Sequence, residues 1–212
     1  MNSTIHLRPR SDIHYKRKIF HFLGVVFLAV CYHNLSRETT LLILFTTSLS
    51  AVVLELIRVR VDAVNNFVLA IFGPLMREHE RSSWTGFTYL VLGVLFIVAF
   101  FPVHIVNLAL LFLALADPIA SYFGIRFGKD KLFGRKSLQG SIAAFFACTL
   151  TSMVYYVAHR LMLDRLLIVG ILSGLAGAAA EALPVGPLDD NLVLPVLSSA
   201  QLWIIFYVFG GF

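Results

Sequence analysis

The sequence predicts an all-α polytopic membrane protein with about seven transmembrane helices and one short interfacial or re-entrant helix. Of its 212 residues, 58% are apolar and only 14% are charged, and the mean hydropathy is +0.84. Soluble domains typically contain about 45–50% apolar and about 25% charged residues. This composition excludes a soluble globule, a disordered chain, a disulfide-built secreted module and a coiled coil. We therefore expect residues 1–212 to form a single integral-membrane domain.

Eight apolar runs divide the chain. They are residues 19–34, 39–57, 64–76, 84–101, 104–123, 141–158, 166–183 and 192–212. The run 64–76 has only thirteen residues and contains Gly73-Pro74. At 1.5 Å per residue it reaches about 20 Å, which is shorter than the roughly 30 Å hydrocarbon core. One interpretation is a short helix that lies in the interface or re-enters the membrane, and the other is a true span.

The basic residues decide between these interpretations. With the N-terminus in the cytoplasm, as the positive-inside rule favours, a non-crossing segment 64–76 leaves all but three of the 17 lysines and arginines on the cytoplasmic side. The three are Arg37, Arg160 and Arg165. A crossing segment would divide the basic residues almost evenly. We therefore predict that 64–76 does not cross, that the basic segment 1–18 is cytoplasmic, and that the C-terminus lies outside.

Acidic residues collect at the same predicted ends of the spans. Charges in or beside a membrane span are costly and usually functional. The opposite face carries few charged residues, and an enzyme that acts on a charged cytosolic substrate at the membrane surface has this asymmetry. A small transporter or lipid-binding protein, the alternative from another class, would instead place charges around a midplane cavity. The acidic residues concerned are Glu55, Asp117, Glu181, Asp189 and Asp190.

Residues 116–141, ADPIASYFGIRFGKDKLFGRKSLQGS, favour a polyphosphate site. Glycines let backbone N–H groups approach an anion, and lysine and arginine neutralise phosphate charge. Ser137 and Ser141 are candidates to cap the next helix and direct its N-terminus at a phosphate. A basic loop after a span is also typical of plain positive-inside topology, and the Walker A pattern is absent. The candidate binding residues here include Arg126, Lys129, Lys136, Ser137 and Gly140.

Residues 180–195, AEALPVGPLDDNLVLP, favour a magnesium site at a turn between two apolar helices. Mg²⁺ prefers oxygen ligands, commonly one or two carboxylates together with substrate phosphates. The simpler interpretation is that these residues only cap the next helix, but a helix cap does not require two adjacent aspartates and a further glutamate. The predicted metal ligands are Asp117, Glu181 and Asp190.

Two smaller groups of polar residues remain. Arg17 and His21 stand four residues apart on one face of the first span, where they serve either as a lipid-headgroup anchor or as part of the catalytic site. Two pairs of opposite charge stand at a spacing of three residues, Glu55/Arg58 and Arg77/Glu80, where mutual pairing would satisfy them. The residues expected to give polar support to the lipid site are Lys18, Glu55, Arg58, Arg77 and Glu80.

The order of these blocks resembles the integral-membrane, CTP-dependent lipid kinases, a family that includes dolichol kinase, phytol kinase and the yeast-type diacylglycerol kinase and is distantly related to phosphatidate cytidylyltransferase. The matching pieces are RKIFH, REHE followed by GFTYLVLG, ADPIASYFGIRFGK, KSLQGS and EALPVGPLDDNLVLP. The resemblance implies transfer of the γ-phosphoryl group of CTP, with Mg²⁺, to the hydroxyl of a membrane lipid alcohol: a polyprenol, phytol or diacylglycerol. It implies a nucleotide site of Asp117, Gly124, Gly128, Lys129, Lys136 and Ser137, and a catalytic turn of Asp189, Asp190 and Asn191.

One position departs from the family pattern. The family has an acid in KSxEGS where this chain has Gln139, so a metal would depend more on the carboxylates named above. We expect Arg126, Lys129 and Lys136 to hold the triphosphate. Asp189, or alternatively His21, would orient or deprotonate the lipid hydroxyl. The enzymatic alternative is a cytidylyltransferase, which joins CTP to phosphatidate and releases pyrophosphate.

The partners and location follow from the same reasoning. CTP, a lipid alcohol and the bilayer are the expected partners, and nucleic acid is not, because CTP phosphates and an anionic leaflet account for the net charge of +5. The expected location is a bacterial inner membrane or, alternatively, an organelle membrane, with the active site facing the cytoplasm. The sequence leaves the oligomeric state open.

Overall fold

The structure is a computed structural model that describes residues 15–134 and 136–212. The described residues form a helical bundle with one small antiparallel hairpin of β1 (Lys131–Phe133) and β2 (Lys136–Ser137). The helices are α1 (Tyr15–Asn34), α2 (Arg37–Arg58), α3 (Asp62–Phe72), α4 (Gly86–Phe100), α5 (Val103–Phe127), α6 (Leu138–His159), α7 (Leu166–Ala182) and α8 (Asp190–Phe209). Short 3₁₀ turns occupy Gly73–Leu75, Glu78–Arg81 and Leu163–Arg165. The all-α prediction is confirmed. Residues 1–14 of the basic N-terminal segment lie outside the described residues.

Within the described part of the chain, five helices are long and apolar enough to cross a membrane. They are Arg37–Arg58, Val103–Phe127, Leu138–His159, Leu163–Ala182 and Asp190–Phe209. The sequence predicted about seven spans. Two of the predicted spans are not both long and apolar enough: α1, which begins with basic residues, and α4, which is short. Helix α4 has 15 residues, which gives a length of about 22 Å. These findings describe a polytopic membrane protein.

Helix α4 nevertheless lies beside α2 from end to end. At one end, the Thr85 backbone N–H donates to Glu55 Oε1 over 2.9 Å. At the other end, Arg37 Nη2 donates to the carbonyl of Ala99 over 2.8 Å. The two helices are therefore antiparallel neighbours that cover the same depth of the bundle.

The segment between α2 and α4 stays at one end of the bundle. Arg58, in the last turn of α2, donates to the side chain of Asn65 in α3 over 2.8 Å and to the carbonyl of Ser83 over 2.7 Å. Because α2 ends and α4 begins beside these contacts, α3 leaves and returns at the same end. The prediction that residues 64–76 do not cross agrees with this arrangement.

Helix α5 lies at the centre of the bundle, where it packs against α1, α4, α6, α7 and α8. Its residues from Ile105 to Leu110 and from Phe112 to Leu113 are mostly fully buried. Pro118 lies inside the helix, and a proline has no N–H to continue the hydrogen-bond ladder. The central helix therefore presents an interrupted turn, next to Asp117, at the same end as the α2–α4 segment.

Single cysteines introduced at exposed positions test this topology, in a background from which the two native cysteines have been removed. Membrane-impermeant maleimide should label the first set from one side of a sealed vesicle and the second set from the other. The first set is Asp62→Cys, Ser82→Cys and Asp130→Cys, and the second is Ser36→Cys and Asp164→Cys. Labelling of positions 62 and 82 from opposite sides would show that α3 crosses the membrane.

Candidate functional site

Lys136, in β2 directly before α6, connects the start of α6 to the ends of two other helices. Its Nζ donates to Glu181 Oε1 at the end of α7 over 2.7 Å and to Asp190 Oδ2 at the start of α8 over 3.0 Å. Burial disfavours the charged ammonium, but the negative charges of Glu181, Asp190 and Asp117 outweigh it and raise the pKa of Lys136 above its ordinary value. Lys136 is therefore a firmly charged cation among carboxylates.

Asp117 is a half-buried carboxylate on α5 that lies among basic side chains. Those that act on it, in decreasing order, are His21, Lys136, Arg77 and Lys18. Among the described residues, its carboxylate makes no hydrogen bond and no ion pair within 4 Å. A carboxylate with nearby cations but no direct partner is available to a ligand.

The first turns of α1 contact the interrupted turn of α5. Lys18 Nζ donates to the carbonyl of Pro118 over 3.2 Å. His21 Nε2 donates to the carbonyl of Leu113, also over 3.2 Å. A neutral imidazole that donates from Nε2 has its lone pair on Nδ1, so His21 retains an atom that can accept a proton.

Glu80 ties α1 to the α2–α4 segment. Its two oxygens accept both arms of the Arg17 guanidinium over 2.7 and 2.9 Å, and also the backbone N–H groups of Arg77 and Gly86. Burial disfavours the charged carboxylate, but the hydrogen bonds and charge of Arg17 and the two N–H groups hold the pKa of Glu80 below its ordinary value. Arg17 and Glu80 form a bidentate ion pair across 63 residues of sequence.

Gly86 lies where three side chains converge, and the sequence analysis did not select it. A Cβ at this position would lie 2.7 Å from Asn191 Nδ2 and would also collide with the Arg17 guanidinium. Asn191 Nδ2 donates to the Gly86 carbonyl over 2.8 Å. Only glycine permits this approach, and the one sequence signal for it is its place in GFTYLVLG.

The Asp189–Asn191 turn is a helix cap that is also tied to the rest of the site. Asp189 Oδ1 accepts the Asn191 backbone N–H over 3.0 Å. This hydrogen bond is the helix cap that the sequence predicts under its simpler interpretation. Asp189 Oδ2 lies 3.4 Å from Arg77 Nη1. Both carboxylate oxygens of Asp189 therefore have partners, whereas Asp190 points to Lys136.

The predicted phosphate-binding glycines pack α5 against α6. A Cβ on Gly124 would lie 3.1 Å from Ser137 Oγ, and one on Gly140 would lie 2.8 Å from the carbonyl of Ala120. Gly128 is equally crowded by Ser137. Ser137 caps α6, as predicted, by accepting the Gly140 N–H over 3.2 Å. The described contacts give these glycines a packing role, because small residues let two helices approach closely.

Gln139 organises the loop that precedes the hairpin. Its Oε1 accepts the Lys129 backbone N–H over 3.1 Å, and its Nε2 donates to Asp130 Oδ2 over 2.8 Å. An acid at this position could not donate to Asp130. Nearby, Arg126, Lys129 and Lys131 are exposed, so the loop presents basic side chains beside the Lys136 cluster.

The structure arranges two predicted groups differently. Arg77 and Glu80 were expected to pair through their side chains, but Glu80 binds Arg17 and the Arg77 guanidinium lies beside Asp189. The predicted metal ligands Asp117, Glu181 and Asp190 surround Lys136 without bringing all their oxygens within 4.8 Å of one another. The group that does so among the described residues is His79, Glu80 and Asp189, whose two carboxylates already bind arginine. The Glu55–Arg58 pair forms as predicted.

Comparison with known proteins gives three fungal relatives, each named CTP-dependent diacylglycerol kinase 1. The chain is 35% identical over 161 residues to that of Schizosaccharomyces pombe, which covers 71% of this chain and 74% of the relative. It is 29% identical over 206 residues to that of Saccharomyces cerevisiae, with 86% and 70% covered. It is 28% identical over 235 residues to that of Eremothecium gossypii, with 93% and 73% covered. No family model matches the chain, and no solved structure matches it.

The Glu80–Arg17 pair predicts a pH-dependent stability. Because the pKa of Glu80 is lowered in the folded state, its contribution is complete above the ordinary glutamate value of 4.5 and is lost as the pH falls through the folded value. Glu80→Gln should lower the free energy of unfolding by about 3 kcal/mol at neutral pH, since it leaves the half-buried Arg17 without the carboxylate that pairs with it. Thermal unfolding in detergent from pH 7 to pH 3 measures this effect.

The curves of the wild type and Glu80→Gln should converge at the acidic end of the range. Glu78→Gln, which changes an exposed neighbour in the same 3₁₀ turn, is the matched control and should follow the wild type. A constant difference between wild type and Glu80→Gln at every pH would contradict the assignment.

Proposed function

The chain belongs to the family of CTP-dependent lipid kinases, and on that premise we propose that it transfers the γ-phosphoryl group of CTP to the hydroxyl group of diacylglycerol. The names of the fungal relatives support CTP as donor and diacylglycerol as acceptor. The structural observation that carries the proposal is the cluster at one end of the bundle, where the basic side chains of α1 and Lys136 act on Asp117. A polyprenol and phytol are the alternative acceptors.

The nucleotide half of the site lies at the start of α6. We assign the triphosphate to Lys136 together with the exposed Arg126 and Lys129, because several fixed cations are needed to neutralise a polyphosphate. Lys136 would then exchange some of its contact with Glu181 and Asp190 for phosphate oxygens. Gln139 supports this role indirectly, since it holds the backbone of Lys129 in place.

The chemistry of the donor set suits a magnesium ion, because Asp117, Glu181 and Asp190 are hard oxygen donors. Their oxygens do not converge on one point in this structure, so binding of the ion requires Lys136 to release Glu181 and Asp190. We assign Asp117 and Asp190 as its principal ligands, with Glu181 as support. When bound with CTP, Mg²⁺ would neutralise charge on the phosphates.

The acceptor half of the site lies between α1 and α5. The lipid hydroxyl oxygen attacks the γ-phosphorus, the bond from that phosphorus to the β–γ bridging oxygen breaks, and CDP leaves. The hydroxyl proton passes to Nδ1 of His21, and the negative charge of Asp117 stabilises the resulting imidazolium. We favour His21 over Asp189 for this step because both oxygens of Asp189 have partners.

We also propose that the charged cluster faces the cytosol, where CTP is available, and that the fungal relatives favour an organelle membrane over a bacterial inner membrane. The distribution of basic residues supports this orientation through the positive-inside rule. A transporter is disfavoured because the charges collect at one end of the bundle.

The test is transfer from γ-labelled CTP by purified protein in mixed micelles of detergent and diacylglycerol. We expect labelled phosphatidate and one CDP for each phosphoryl group transferred. Dolichol and phytol, offered in the same micelles, compare the alternative acceptors. Release of pyrophosphate with formation of a CDP-lipid when phosphatidate replaces diacylglycerol in the micelles would support the cytidylyltransferase instead. Absence of label in every lipid alcohol would overturn the proposal.

Two variants test the residue roles in the same assay. Asp117→Asn should lower kcat by about 10²-fold or more, since it removes charge stabilisation at the reacting group. His21→Gln should lower kcat by about 10²-fold, because it removes the proton acceptor. Asp62→Asn, which changes an exposed acid at the start of α3, is the control and should keep wild-type kcat. A wild-type kcat for His21→Gln would exclude His21 as the proton acceptor.

A further inference from the structure

The ammonium of Lys136 binds two of the three predicted metal ligands. Its Nζ lies 2.7 Å from Glu181 Oε1 and 3.0 Å from Asp190 Oδ2. The side chain of Glu181 is only 4% exposed, so this carboxylate depends on the ammonium more than on water for its stabilisation. We call this pair of contacts the Lys136 bridge.

The Lys136 bridge and a metal ion compete for the same carboxylates. A dication that binds Glu181 and Asp190 would be repelled by an ammonium that stays between them, because like charges at close range repel strongly away from bulk water. Conversely, removal of the ammonium leaves two carboxylates at the edge of the bundle without a cation, which is costly. The two carboxylates therefore require one cation and disfavour a second.

The place of Lys136 in the chain lets it exchange carboxylates for phosphates. The backbone N–H of Leu138 donates to the carbonyl of Asp130 over 2.9 Å, so the start of α6 stays beside the loop that carries Lys129. A lysine has a flexible four-carbon stem and three donors on its ammonium. Phosphate oxygens held at this loop would therefore compete with the two carboxylates for Lys136.

We propose that the Lys136 bridge makes the binding of Mg²⁺ and the binding of CTP mutually dependent. The proposal rests on the proposed function. Without CTP, the ammonium keeps a metal ion from Glu181 and Asp190. Without Mg²⁺, movement of Lys136 to the phosphates leaves both carboxylates without a cation. Because coupling between two ligands is reciprocal, each should raise the affinity for the other by the same factor.

A matched pair of lysine substitutions in the hairpin tests the competition without nucleotide. Lys136→Met removes the ammonium and keeps an unbranched stem, so it should bind Mn²⁺ about tenfold or more tightly than the wild type, within the usual range of coupling between ligands. Lys131→Met, which changes an exposed lysine of β1, is the control and should bind Mn²⁺ like the wild type. Electron paramagnetic resonance during titration of the purified full chain with Mn²⁺ measures these affinities.

A measurement on the wild type keeps the proposal testable if Lys136→Met does not fold. Labelled CTP should bind about tenfold or more tightly with saturating Mg²⁺ than with EDTA, as measured by equilibrium dialysis in detergent. Mg²⁺ alone should leave the Tm unchanged, whereas Mg²⁺ with CTP should raise it. Equal affinity for CTP with and without Mg²⁺ would overturn the proposal.

The nucleotide-free titration also separates this proposal from the proposed function, because it involves no turnover. Tighter binding of Mn²⁺ by Lys136→Met in a protein that phosphorylates no lipid supports the competition and rejects the proposed function. Equal binding of Mn²⁺ by Lys136→Met and the wild type overturns the role of the Lys136 bridge, even if the wild type phosphorylates diacylglycerol.

Discussion

The end of the bundle that carries the site depends on one constraint: a carboxylate withdrawn from water at the edge of a membrane must have a cation or hydrogen-bond donors beside it. An unpaired buried charge costs several kcal/mol, and charges within spans are rare for that reason. Three acidic groups meet the constraint with basic partners. Glu55 binds Arg58, Glu80 binds Arg17, and Glu181 shares Lys136 with Asp190.

These pairs also fix which segments meet. Arg58 holds α3 and the start of α4 at the end of α2. Arg17 and Glu80 bring α1 to the same segment, and Lys136 joins the ends of α6, α7 and α8. The polar residues thus assemble the site as well as satisfying each other. Asp117 differs, because no described residue makes an ion pair or hydrogen bond with it, although four basic side chains act on it electrostatically. That difference is the reason for assigning it to the substrates.

The features that could be predicted from the sequence are those that depend on the spacing of residues close together in the chain. Apolar runs predicted the all-α architecture, and the non-crossing α3 stays a prediction. Of the two predicted caps, Ser137 caps α6, whereas Ser141 lies within the helix. The i,i+3 spacing predicted Glu55–Arg58 correctly, but it failed for Arg77 and Glu80, because the partner of Glu80 is 63 residues away and no periodicity encodes that distance. The nucleotide role of Gly124 and Gly140 stays a prediction, and the structure adds that both glycines pack α5 against α6. The crowding at Gly86 arises from tertiary contacts alone.

We assign Asp117 as the carboxylate that binds the metal and the nucleotide. Metal binding tests this role of Asp117 most directly. Mn²⁺ substitutes for Mg²⁺ as a hard cation and can be followed by electron paramagnetic resonance during titration with CTP. We expect the wild type to bind Mn²⁺ in a CTP-dependent manner and Asp117→Asn to lose most of that affinity, whereas Asp62→Asn should bind like the wild type. Equal CTP-dependent binding of Mn²⁺ by Asp117→Asn and the wild type would contradict the assignment.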